Sequence, residues 1–457
     1  MSFQYLLTLL FLLIFMSGCV TKPTTEETAA RRDAATLKKV FDAPASFHLT
    51  TNSSLEEFVL FSCLQHPKVR VAYNNWLASI ERVTIERSLP DPQLTFEADV
   101  TGIIEAFMPG LMFEVPGPGK RKFQAAGASA ESRARYYEFE SSVLEAAFAT
   151  HQAYYKLYSA NERMVVYRDV IALLKNLEQV AIAGNVAGKG GLQDILRIQI
   201  DLERALTALA NLGDALDALR IQWNAALGFG PREATPSLPA RFQFSGFNIS
   251  ADDLLKAALE QNPRLRRMEA EVRQAEAAVH LAHRGRVPDF SAGVMADITA
   301  NPWMWTPKIG ITLPIWKDKI RAGIAAAQFR NRAAQDRFSA EEIKVAVELA
   351  DRLFTYRETT RNLKLLEDRL SPKARQALDL SRAGYVSGRA SFLDVIDSQR
   401  TLLEFEISAI EARAMRETAA AELSLLIAAQ APTGAPLLRN IAPLKRSEKS
   451  TGKDIPR

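Results

Sequence analysis

One feature constrains this 457-residue chain more than any other: its sequence is written twice. Leu55-Glu56-Glu57 through His66-Pro67 is similar to Asp252-Asp253-Leu254-Leu255 through Asn262-Pro263. Pro67 and Pro263 stand 196 positions apart, as do Pro92 and Pro288. Val115-Pro116 then matches Leu313-Pro314. The clearest match pairs Ala183-Gly184-Asn185-Val186-Ala187-Gly188, Asp194 and Gln199 with Ala383-Gly384-Tyr385-Val386-Ser387-Gly388, Asp394 and Gln399, 200 positions on. Chance similarity does not hold register across five anchors, and so small a drift leaves room only for short loop insertions. Whatever one copy folds into, the chain folds into twice. We place the first repeat at 54–230, a linker at 231–251, the second repeat at 252–430 and a flexible tail at 431–457.

Three kinds of segment alternate in each copy. Pro67 to Leu89 and Pro263 to Arg286 have helical composition, with proline at the start, where its missing N–H costs little. Leu94 to Val100 and Phe290 to Ile298 alternate apolar with small or polar residues at period two, as strands facing two environments do. Leu111 to Val115 and Lys308 to Leu313 read as return strands, each stopped by a proline, Pro116 or Pro314. The strands thus occupy about 94–116 and 290–314. Beyond each hairpin the composition turns helical for an unusual distance. Lys120 to Gly230 holds no proline and is rich in Ala, Leu, Glu, Arg and Gln, broken only by the glycine-rich stretch Gly184 to Gly191. The second copy runs similarly from 317 to 429, with its break at Gly384 to Gly388. Helical hairpins at 120–228 and 317–429 follow, with Gly184, Gly188, Gly384 and Gly388 at their turns. Helices of this length are typical of coiled coils.

Lengths test an architecture. The first helix of each hairpin spans about 66 residues, ~100 Å at 1.5 Å per residue. The returning helix adds ~55 Å and the short opening helix ~35 Å. A long helix therefore matches two shorter ones laid end to end, which predicts a mainly α fold of long antiparallel coiled-coil helices with a small β part. Four strands cannot close a barrel alone, and open strand edges are not tolerated in lipid. Three chains would supply twelve strands and a closed barrel, so the strand count predicts a homotrimer.

The N-terminus adds a destination. Leu6 to Phe15 is an apolar run too short to span a bilayer comfortably, and it ends at Met16-Ser17-Gly18-Cys19. Small residues before a cysteine resemble the lipobox of bacterial lipoproteins, which implies a signal peptide over 1–18 and covalent lipid on Cys19. The plainer reading is a secretory signal with an incidental cysteine. Residues 19–53, rich in Thr, Ala and charge, read as an extended lipidated tether. No other stretch is apolar enough for a membrane helix.

In this order, and twice over, these segments resemble the TolC-type outer-membrane efflux family from about residue 54 to 430. The motifs that carry the likeness are the duplicated opener ending in Asn-Pro, Asp91-Pro92-Gln93-Leu94 at the first strand, and Tyr385-Val-Ser-Gly388 followed by Phe392-Leu-Asp-Val-Ile-Asp397. The resemblance implies a trimeric α-barrel tunnel in the periplasm, capped by a 12-stranded β-barrel in the outer membrane. It implies a passive exit duct, part of a tripartite efflux or secretion system. A periplasmic adaptor (membrane fusion) protein would couple it to an inner-membrane pump, the resistance-nodulation-division type among the candidates. Enzymatic activity and cofactors other than the Cys19 lipid are not expected. In the family, aspartates matching Asp394 and Asp397 ring the periplasmic aperture. Tyr385 matches a position that helps hold it shut, although the neighbouring family arginine is displaced here to Arg389. The dull alternative for Asp394 is a helix-start residue favoured by the macrodipole, as Asp194 in the other copy suggests.

Other features point nowhere further. Lys and Arg number 57 against 53 Asp and Glu, so no basic field marks a nucleic-acid partner. Gly117-Pro-Gly-Lys120 fails the spacing of a phosphate loop and reads as a strand-to-helix connector, although Gly-Lys-Arg resembles family members serving heavy-metal exporters. His280 and His283 share a helix face without a third ligand, so no metal site is expected. Trp303 and Trp305 belong to an interfacial aromatic belt or cap the barrel tip. Cys63 reads as a buried thiol. A periplasmic coiled-coil lipoprotein scaffold or adaptor is the rival reading; it accounts for the anchor and the helical hairpins but not for the two β-hairpins.

Overall fold

A computed structural model describes residues 23–41, 49, 53–100, 104–188, 191–230, 233 and 250–428. The signal peptide, Cys19, most of the 231–251 linker and the C-terminal tail lie outside these residues. The elements are α1 (Thr25–Phe41), α2 (Leu55–Gln65), α3 (Pro67–Arg87), β1 (Gln93–Val100), β2 (Ile104–Val115), α4 (Lys120–Val186), α5 (Leu192–Leu227), α6 (Ala251–Gln261), α7 (Pro263–Arg284), β3 (Asp289–Asp297), β4 (Met304–Thr312), α8 (Lys317–Leu365), a π-helical turn (Leu366–Leu370), α9 (Ser371–Val386) and α10 (Phe392–Leu426). The mainly helical fold with four strands, and its repetition, agree with the sequence reading. None of the described helices is long and apolar enough to cross a membrane. The residues divide into two compact units.

The first unit draws on 1–42, 71–140 and 263–343. Its helical core is aromatic: Trp76 stacks on Phe139 with centroids 6.0 Å apart, and both are almost fully buried. Here the structure corrects the extended tether, because residues 25–41 are a docked helix. Thr24 accepts a hydrogen bond from the Glu27 amide at 3.1 Å, acidic residues fill the first turn, and Lys38 and Lys39 fill the last. Leu37 is 1% exposed, and Phe41 stacks on Tyr73 at 4.6 Å. The Glu27 carboxylate is fully buried and takes Arg87 at 2.9 Å, Thr84 at 2.9 Å and Arg31 at 3.2 Å. A polar composition concealed a helix that is held by a buried charge cluster.

The sheet belongs to this unit and has strand order β1-β2-β3-β4, antiparallel throughout. Strands β2 and β3 join the two hairpins, with Gly110 opposite Met295 and Val115 opposite Phe290. The sequence placed the start of β2 near Leu111, but it begins at Ile104 and runs 12 residues. Pro109 does not stop it; that residue sits opposite Phe96 on β1. Trp305 likewise lies within β4, opposite Ala296, with Trp303 just before it.

The second unit draws on 43–70, 141–262 and 344–457. Each opening helix is capped by a serine: Ser54 and Glu57 form a capping box on α2, and Ser250 accepts from the Asp253 amide on α6. Each then locks onto the end of its own returning helix. Ser62 donates to the Ala226 carbonyl at 2.8 Å, and Asn262 donates to the Leu426 carbonyl at 3.0 Å. Phe58 packs on Trp223 at 5.3 Å, both fully buried. At the end of α5, Gly228 has φ +85°, and a Cβ there would come within 2.8 Å of the His66 backbone.

The expected unbroken helix of the second copy is interrupted at 366–370. There the Ser371 amide bonds the Leu366 carbonyl, a π-type closure, and Pro372 follows at the start of α9. Proline lacks the N–H of an α turn and clashes with the carbonyl four residues back. A wider turn before it resolves both problems.

Candidate functional site

Two regions stand out as candidates, and each belongs to one unit. The first is the sheet. Residues directly opposite each other in an antiparallel pair share a face. Following the register from Leu94 and Leu111 to Val294, and from Phe290 to Ile311, gives one face that is apolar throughout. It carries Leu94, Phe96, Phe113, Ile309 and Ile311, all exposed, with Ile309 at 87%. The opposite face holds Thr95, Glu97, Gly110, Glu114, Ser291, Gly293, Thr306 and Lys308. Lys308 on β4 forms an ion pair with Glu97 on β1, across the two intervening strands. At ~4.8 Å per strand spacing the pair bridges ~14 Å of sheet, which requires the polar face to be concave.

The connector Gly117-Pro-Gly-Lys120 is built as the sequence indicated. Gly119 has φ +87°, and a Cβ on Gly117 would collide with the Pro288 carbonyl. The Gly117 amide and the Lys120 ammonium both bond the Asp289 carboxylate at 2.7 Å. This loop ties the end of β2 to the start of β3.

The second region is the pair of helical turns. Gly188 and Gly388 have φ of +72° and +75°, which favours glycine. Gly184 and Gly384 lie in the last helical turns before them, and Gly384 faces Ala390 so closely that a Cβ would stand 2.8 Å away. Beneath both turns runs one apolar core that includes Leu174, Ile198, Phe392, Val395 and Ile396, with Tyr385 packed on it. The Tyr385 ring meets Phe392 edge-on at 5.5 Å. Burial, and secondarily the Asp194 charge, raise its hydroxyl pKa above the ordinary value. The core on which Tyr385 packs holds residues of both copies.

Asp394 and Asp397 are both exposed. Asp394 closes a capping box: its amide bonds the Ser391 hydroxyl at 3.2 Å, while its carboxylate accepts from the Ser391 amide at 2.8 Å. The Ser391 hydroxyl, which donates to this carboxylate at 2.8 Å, and then the Ser391 amide hold the carboxyl below its usual range. The helix-start role is thus real for Asp394, whereas Gly191 at the same place in the first copy offers no side-chain cap. Sequence reading missed the residue next to this group that joins the copies. Arg400 grips the Asp201 carboxylate with its Nε, 3.2 Å from one oxygen, and one terminal nitrogen, 2.8 and 2.9 Å from the two oxygens. The signal was present: opposite charges stand one position from equivalence at the 200-residue offset.

The remaining candidates stay apart. His280 stacks on Phe123 at 5.1 Å, and no group of three metal-ligating side chains occurs among the described residues. Cys63 is buried, and burial pushes its thiol up to about 12.

With this geometry in place, residues 254–429 match the sequence model for outer membrane efflux proteins. That match covers the second repeat. The efflux resemblance read from the whole chain extends to a curated relative, the cobalt-zinc-cadmium resistance protein CzcC of Cupriavidus metallidurans. It is 27% identical over 270 residues, which cover 56% of this chain and 61% of that protein. The efflux fold recurs in solved structures. A membrane protein from Pseudomonas aeruginosa superposes with a TM-score of 0.72 at 19% identity, covering 83% of this chain and 91% of the other. The open state of the MtrE outer membrane channel of Neisseria gonorrhoeae gives 0.71 at 19% identity, covering 82% and 88%. At such identities these structures speak for the fold alone.

Proposed function

We propose that this chain is the outer-membrane duct of a tripartite efflux system, working as a homotrimer. The observation that carries the reading is the two-faced four-stranded sheet. One face suits lipid, the other suits water, and β1 and β4 end the sheet with edges that hydrocarbon does not accept. Three copies joined edge to edge give a twelve-stranded barrel with the polar face inward. The helical hairpins form the periplasmic tunnel, and the Cys19 lipid anchors the chain to the same membrane. A periplasmic adaptor and an inner-membrane pump of the resistance-nodulation-division type supply coupling and energy, so no catalytic step is part of this function. Asp394, Asp397 and Tyr385 line the aperture, with the Arg400–Asp201 pair clasping the two copies behind it. The CzcC relative favours heavy-metal cations as cargo.

Reconstitution tests this directly. Purified protein should run as a trimer by native mass measurement in mild detergent and should conduct ions in planar bilayers. A monomer that partitions to the aqueous phase when Cys19 is replaced would favour the anchored scaffold instead.

A further inference from the structure

The two ends of the sheet differ sharply in charge. Register places the start of β1, the end of β2, the start of β3 and the end of β4 together at one end. The stretches adjoining that end, 87–92, 116–122, 284–289 and 313–321, hold nine Lys and Arg against three Asp. The stretches at the other end, 98–105 and 297–305, hold three acidic residues and no Lys or Arg. Three of the basic groups are neutralised, Lys120 by Asp289, Arg321 by Asp318 and Arg87 by Glu27. Lys122, Arg286, Lys317 and Lys319 are exposed. Just beyond the end of β4 and directly before the last two, Ile315 and Trp316 are 63% and 70% exposed.

This order, from apolar strand through tryptophan to cation, follows the order of a bilayer from hydrocarbon through interface to phosphate. We propose that this end of the sheet is a collar that binds anionic phospholipid headgroups in the leaflet it meets. The inference rests on the lipid-facing orientation proposed above. Tryptophan settles at the glycerol level, and the Lys and Arg side chains reach one step further to the phosphate and any extra headgroup charge. Threefold symmetry would repeat the four exposed cations around the full circumference. A negative headgroup is favoured over a zwitterionic one because the collar carries a net positive field, and each cation contributes about fivefold in affinity at modest salt.

The test uses the full-length protein in phosphatidylcholine vesicles doped with equal fractions of brominated phosphatidylglycerol or brominated phosphatidylcholine. Bromine quenches neighbouring tryptophan, and a Trp316→Phe variant isolates the contribution of Trp316. Wild type should show several-fold stronger quenching of Trp316 by the anionic lipid. The excess should collapse in the Lys122→Gln, Arg286→Gln, Lys317→Gln, Lys319→Gln variant and in high salt. Inorganic phosphate at matched ionic strength should leave it intact. Equal quenching by both lipids in wild type overturns the collar, and so does an excess that survives in the quadruple variant. Loss of the excess to inorganic phosphate makes the site a general phosphate binder and refutes the lipid assignment. Absence of quenching by either lipid means the sheet is not in a bilayer, which overturns the duct reading and the collar with it.

Discussion

Replacing Glu27 with alanine should release α1 from the rest of its unit. The carboxylate has no exposed surface and is shared by Arg31, Thr84 and Arg87. Removing one member of a fully buried ion pair costs roughly 3–5 kcal/mol, because the partner is left buried and unpaired. Arg87 retains 17% and Arg31 39% exposure, and Arg31 keeps its bonds to Glu81 at 2.8 and 3.0 Å. Water therefore takes up part of the loss, and ~2–3 kcal/mol is the expected local cost. At 1.4 kcal/mol per decade this opens the helix about 30 to 150 times more often. Hydrogen exchange of the amides in 25–41 reads that factor, with α10 as internal reference. Burial raises the Glu27 pKa, but the bonds from Thr84, Arg31 and Arg87 outweigh it and leave the carboxyl below its ordinary value. Its contribution is therefore complete above the unfolded value of about 4.3 and fades as pH falls through the lower folded one. Unchanged exchange in the alanine variant, or protection in wild type that does not weaken in acid, would refute the charge cluster as the clamp.

Four further outcomes follow from other residues. Alanine at both Asp394 and Asp397 should abolish block of the channel by di- and trivalent cations, because like charges gathered by symmetry attract a counter-ion; persistent block in a folded double variant moves the aperture elsewhere. Arg400→Ala should raise the time-averaged conductance, since it removes a two-pronged bond that in so exposed a setting is worth about 1 kcal/mol in each chain. Ile309→Lys puts a cation on the face assigned to lipid, at a cost of roughly 2–4 kcal/mol near the bilayer centre, whereas Thr306→Lys on the other face should assemble normally; equal yields in vesicles would reverse the faces. Cys19→Ala should lose palmitate on metabolic labelling while the protein still inserts, and retained label would end the lipoprotein reading.

The long elements were legible in the sequence because periodicity and proline placement act locally. Pro67 and Pro263 start helices, Gly188 and Gly388 stand where φ turns positive, and the alternation at 290–298 survives as β3. What sequence reading missed depends on partners distant in the chain. Thr24 and Glu27 do carry the Thr-x-x-Glu spacing of a helix start, but Glu27 finds its main partner at Arg87, sixty positions away. Strand β2 hid its first half because Pro109 reads as a breaker unless the partner strand is known. Arg400 and Asp201 are unremarkable until the copies are laid side by side. For Asp394 the structure shows a helix-capping task, and the aperture role proposed for it depends on symmetry that one chain does not contain.

The wide turn at 366–370 has a consequence for anyone aligning or recombining the two copies. A π turn holds one more residue than an α turn, and one residue is worth about 100° of rotation about the helix axis. The stripe that α8 presents cannot be extrapolated into α9, because the phase slips between them. Between Pro116/Pro314 and Ala183/Ala383 the second copy outgrows the first by two residues, and this turn takes in one of them. A gap in the alignment belongs inside the helix there, not wholly in the neighbouring loops. Deleting one residue from 366–370 would turn this stretch into an ordinary α ladder and leave Tyr385 facing the core it now packs against.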